Sequence, residues 1–120
     1  MDKALSFLGL ARRAGKLLIG EDGVSGAARS GQAALLMVAS DTADNTRKKA
    51  GNLSRWYGIP LVSLPWDKDT LGELLDKRVC AILALTDKGL AEAFRKKLAA
   101  QGGPSGEEAA EKTGKGRSVQ

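Results

Sequence analysis

The segment Gly20-Glu21-Asp22-Gly23-Val24-Ser25-Gly26 is where residue types and spacing bear most directly on chemistry. It follows a short apolar run and opens a helix, and the free amides at a helix start attract anions. Its spacing, G-x-x-G-x-x-G, is neither the dinucleotide fingerprint G-x-G-x-x-G nor the P-loop G-x-x-x-x-G-K-[ST]. Glu21 and Asp22 at its tip also repel phosphate, so no nucleotide-cofactor site is expected. At about 100° per residue, Val24, Ala27 and Ala28 share one face, while Gly23 and Gly26 fall opposite with Asp22 and Arg29. A glycine inside a helix costs about 0.8 to 1 kcal/mol relative to alanine. Two readings fit: a macromolecule approaches a bare backbone here, or a surface helix tolerates the missing side chains.

The basic residues form three groups. Arg12, Arg13 and Lys16 close the first helix and enter the first strand, near the Gly20 turn in sequence, where they could hold phosphates. Arg47-Lys48-Lys49 and Arg95-Lys96-Lys97 read as solvated helix faces, the second complementing the helix dipole. The turn Asp76-Lys77-Arg78-Val79 offers two cations followed by an apolar side chain. That suits pinning a nucleic-acid backbone and packing valine on an unstacked base, although an ordinary helix-to-strand connection fits as well. With no histidine and a single cysteine, zinc sites, internal disulfides and Ser-His or Cys-His catalysis are ruled out. Cys80, inside VCAILALT, reads as a small buried hydrophobe. No nucleophile-base pair, metal cluster or cofactor loop remains, so neither enzymatic activity nor a metal or small-molecule cofactor is expected. Trp56, Tyr57 and Trp66 are too few and scattered for a stacking platform, and Tyr57 is assigned to the core.

The secondary structure around these residues follows from the changing hydrophobic period. Leu5, Leu8 and Ala11 mark a first helix ending before Gly15, and Leu17 to Ile19 a short strand ended by Gly20. QAALLMVAS, from Gln32 to Ser40, reads as a central strand covered on both faces. Ser40, Asp41 and Thr42 supply N-cap chemistry for a helix carrying Ala43, Thr46, Ala50, Leu53 and Tyr57, stopped by Gly58 and Pro60. Leu61 to Leu64 form a third strand, Leu71 to Leu75 a short helix and Val79 to Thr86 a fourth strand. Asp87 caps a last helix running to about Ala99. This alternation predicts an α/β fold: a three-layer α/β/α sandwich with a mixed or mostly parallel four-stranded sheet.

A chain of 120 residues has room for one core. Positions 1–100 are expected to form that domain. Positions 101–120, QGGPSGEEAAEKTGKGRSVQ, are expected to be a disordered polar tail. The tail's charges cancel, so the net +5 belongs to the folded part and favours a polyanionic partner. No apolar run approaches the roughly 20 residues of a membrane helix, and the N-terminus lacks the pattern of a signal peptide; no membrane association and a cytoplasmic location are expected.

Taken in order, LGLARRAGK, Gly20, SGQAALLMVASDTADNTRKK, YGIPLV, Leu71-Gly72 and ALTDKGLAEAF resemble the YlxQ-type bacterial branch of the L-seven-Ae ribosomal-protein superfamily, over about positions 3 to 97. The resemblance implies an α/β/α sandwich and binding of structured RNA, typically kink-turns, within the translation apparatus, with ribosomal RNA the expected partner. In kink-turn binders the second helix starts with an Asn-Glu pair followed three residues later by Lys. Here Asp22, Gly23 and Gly26 occupy those positions, so the amide donor, the carboxylate and the cation are all replaced. Lys16, Gly20 and Asp41 match the family, and Lys77 to Cys80 occupy the loop that meets bulged nucleotides. Together, the residue pattern and the resemblance implicate Arg13, Lys16, Gly20, Glu21, Asp22, Gly23, Gly26, Asp41, Lys77, Arg78 and Val79 in RNA contact. The three departures keep a second reading open, a protein-protein interaction module that has lost kink-turn recognition.

Overall fold

Leu35, Leu36, Met37 and Val38 are all buried, as a strand covered on both faces requires. In the computed structural model, which describes residues 3–75 and 81–100, they form the second of four strands: β1 (Leu17–Ile19), β2 (Leu35–Val38), β3 (Leu61–Ser63) and β4 (Ile82–Leu85). The sheet order is β1-β4-β2-β3. β4 runs antiparallel to both neighbours and β3 runs parallel to β2, so the sheet is mixed. The helices are α1 (Lys3–Arg13), α2 (Glu21–Arg29), α3 (Asp44–Tyr57), α4 (Lys68–Leu75) and α5 (Lys88–Ala100).

The two-residue side-chain period of the strands divides the core in two. Leu35 and Met37 of β2 and Leu83 and Leu85 of β4 point toward α1, α4 and α5, where Leu8, Leu71 and Phe94 are fully buried. Leu36 and Val38 with Ile82 and Ala84 point the other way, toward Val24 and Ala28 of α2 and Ala50 of α3. The result is the expected three-layer α/β/α sandwich.

Several local expectations are corrected. The central strand is shorter than Gln32 to Ser40, α4 begins at Lys68 rather than Leu71, and the regular part of β4 begins at Ile82. The N-cap of α3 is Ala43, with no side-chain cap. Thr42 is turned inward, its hydroxyl 2.7 Å from the Ala39 carbonyl and 3.0 Å from that of Ala81, so it ties the end of β2 to the approach to β4. Asp41 accepts the Lys68 amide at 2.9 Å and therefore serves the start of α4. Tyr57 does not pack in the core. It is 38% exposed at the end of α3, where left-handed Gly58 turns the chain and Ile59 takes the buried place.

Candidate functional site

The sheet topology sets which candidates meet. The ends of β1 and β2 and the start of β4 lie together, because β4 is antiparallel to both. The Gly20 amide donates to the Ile82 carbonyl at 3.0 Å, and the Ala39 amide to the Ala81 carbonyl at 3.0 Å. The Gly20 turn, the Asp41 loop and the entry to β4 therefore share one end of the sheet. Lys77, Arg78 and Val79 lie outside the described residues, as does the tail 101–120.

Gly20 has φ +99°, which an L side chain rarely adopts, and no side chain caps α2 after it. The first helical bond runs from the Val24 amide to the Gly20 carbonyl at 3.1 Å. The amides of Glu21, Asp22 and Gly23 thus belong to the unpaired first turn of a helix. Val24, Ala27 and Ala28 are buried, whereas Glu21, Asp22, Gly23 and Arg29 are exposed. Among the described residues, a Cβ at Gly26 would meet nothing within 4 Å, and one at Gly23 would meet only the Leu18 Cβ at 3.9 Å. Packing among the described residues requires neither glycine. The outer face of α2 is bare backbone at exposed Gly23 and half-buried Gly26, flanked by the exposed side chains of Asp22 and Arg29.

The acidic tip is partly neutralised. Lys49 of α3 places its Nζ 3.0 Å from Glu21 Oε1 across the α2-α3 interface. Asp22 makes no side-chain hydrogen bond or ion pair with a described residue, so its carboxylate is open to donors. In the sequence Lys49 reads as part of a solvated helix face. Its pairing with a residue 28 positions away depends on how α2 and α3 pack, which a helical period does not encode. Arg47 is likewise committed, donating to the Ala39 carbonyl and the Ser63 hydroxyl, both at 3.3 Å. Lys97 lies 5.7 Å from the centre of the Phe7 ring, so it too is more than a solvated charge.

The Lys16 backbone does not adjoin the Gly20 turn. The Lys16 carbonyl accepts the Thr86 amide at 2.9 Å, at the opposite end of β1 from Gly20. At roughly 3.3 Å per strand residue, the two backbones are about 13 Å apart. Proximity in sequence became the two ends of one edge strand. Among the described residues, no three His, Cys, Asp or Glu side chains converge to hold a metal ion, and no helix is long and apolar enough to cross a membrane.

An α/β/α sandwich with a mixed sheet in the order β1-β4-β2-β3 is consistent with an L7Ae-like ribosomal-protein fold. The chain belongs to the ribosomal protein L7Ae/L30e/S12e/Gadd45 family, whose model matches residues 2–95. It is 34% identical to the RNA-binding protein YlxQ of Bacillus subtilis over 84 residues, which is 70% of this chain and 83% of the relative. It is 40% identical to the RNA-binding protein YlxQ of Enterococcus faecium over 62 residues, 52% of this chain, a match spanning 60% of that relative's length. Among solved structures it resembles a Bacillus halodurans protein described as of unknown function, with a TM-score of 0.76 and 31% identity, covering 82% of this chain and 99% of the other.

Proposed function

We propose that this protein is a non-enzymatic, cytoplasmic RNA-binding protein that docks structured, kink-turn-like RNA, with ribosomal RNA as its principal partner. The observation that carries the reading is the bare outer face of α2, which begins at an uncapped turn and has open space at Gly26. In a family whose relatives are named for RNA binding, such a face is a ledge on which a folded strand can lie close to peptide backbone. Glu21, held by Lys49, is screened from phosphate, and Asp22 offers acceptors to guanine amino groups. Lys16 and Arg13 at the far end of edge strand β1, with Asp41 and the segment Lys77-Arg78-Val79, complete the contact set. An RNA strand running along the β1 edge reaches both of its ends.

Titration of a kink-turn hairpin tests this. Phosphate contacts make affinity fall steeply between about 50 and 200 mM salt. Lys16→Ala and Lys77→Ala should each reduce the log-log slope by about 1. In cells, crosslinking and sequencing of the attached RNA should return one ribosomal segment.

One observation favours a second reading. Asp22, Gly23 and Gly26 lack the donor, carboxylate and cation that read kink-turn bases, as a protein-interaction module on the same fold would. Partners that persist in nuclease-treated pull-downs would support that module, and their loss would support RNA docking.

A further inference from the structure

Trp56 is 81% exposed, the most exposed large hydrophobic side chain among the described residues. An indole kept in water adds little to the fold, so packing does not account for it. It stands beside a shallow groove of about 610 Å³ between α2 and α3, whose walls include Ser25, Lys49, Leu53, Arg55 and Tyr57. Among the described residues no carboxylate lines this groove. α3 carries Arg47, Lys48, Lys49 and Arg55 against the single acid Asp44. The Arg55 guanidinium is held by a 2.6 Å bond to Asn52 Oδ1, which keeps a cation at the groove wall beside the ring. The groove is continuous with the ledge on α2, because Lys49 lines it and also pairs with Glu21. From Lys49 to Trp56 is seven residues of helix, about 10 Å.

An accessible aromatic face, flanking cations and no carboxylate make a surface on which a base stacks while its phosphates meet positive charge. We propose that the Trp56 groove is a second RNA subsite, taking an unpaired nucleotide that flanks the structured element docked on α2. This rests on the RNA-binding reading and extends it to a face that the sequence pattern, with its scattered aromatics, did not single out.

The test compares a kink-turn hairpin with and without a single-stranded oligoadenylate extension, using the full chain at low salt. The extension should tighten binding to the wild-type protein by at least about 5-fold, the low end for one base stacked on an aromatic ring. Trp56→Ala should abolish that gain without weakening binding of the blunt hairpin, and Trp56→Phe should keep most of it. If the hairpin binds but the extension adds nothing, or adds as much in Trp56→Ala, the subsite is refuted and the RNA-binding reading stands. If neither RNA binds, that reading fails and the subsite with it. Sedimentation showing a wild-type dimer that Trp56→Ala makes monomeric would overturn the proposal in favour of a contact between two copies of the chain.

Discussion

Lys49 and Glu21 meet at 3.0 Å across the α2-α3 interface, the one ion pair formed among the described residues. The side chains are 63% and 45% exposed, so the pair contributes at most about 1 kcal/mol to stability. Its consequence is electrostatic and falls on the ligand. Lys49→Ala removes a cation and uncovers a carboxylate beside the bare helix start. We expect melting to change little, RNA affinity to drop and the salt slope to shrink by about 1. Glu21→Gln should tighten binding. Equal affinities in both variants would separate this pair from the RNA.

The glycines of α2 divide by conformation. Gly26→Ala meets open space within a helix and should stabilise the fold by about 0.8 to 1 kcal/mol while weakening RNA binding. Gly20→Ala forces a side chain onto a backbone at φ +99° and should destabilise by roughly 1 to 3 kcal/mol. Urea unfolding and RNA titration on the same preparations check both. A Gly26→Ala protein that is more stable and binds undiminished would mean that the bare face is tolerated loss rather than a docking ledge.

Thr42 is 8% exposed, and its hydroxyl serves the Ala39 and Ala81 carbonyls. Thr42→Val keeps the shape and removes the hydroxyl. Since those carbonyls also accept amides, the expected loss is about 1 kcal/mol, read in the urea midpoint, with RNA affinity at neutral pH little changed.

Asp67 makes stability depend on pH. The Thr70 amide donates to its Oδ1 at 2.8 Å, and this bond, with the Thr70 hydroxyl, holds the carboxyl below its ordinary 3.8. A depressed folded value adds stability that is present above 3.8 and is lost as pH falls through the lower folded value. Asp67→Asn keeps an acceptor that does not titrate. Its urea midpoint should therefore decline less on acidification than that of the wild type.

The layers were readable because strand and helix periods differ and because QAALLMVAS is apolar on both faces. The buried Val24, Ala27 and Ala28 and the capping role of Asp87, which accepts the Leu90 amide at 2.9 Å, were also legible from local pattern. What failed to read were properties set by tertiary direction. Thr42 resembled a cap until β4 supplied a carbonyl for it to face. Lys16 looked adjacent to Gly20 because only three residues intervene, yet an extended strand separates what a turn would have joined. Trp56 and Lys49 gained their context only when α3 packed on α2.

The most direct measurement is the affinity of the purified chain for a kink-turn hairpin as salt is raised from about 50 to 200 mM. Binding should be measurable at the lower concentration and fall steeply toward the higher one, with a shallower slope in Lys16→Ala. Absence of binding at low salt, or an affinity indifferent to salt, would contradict the RNA-binding reading.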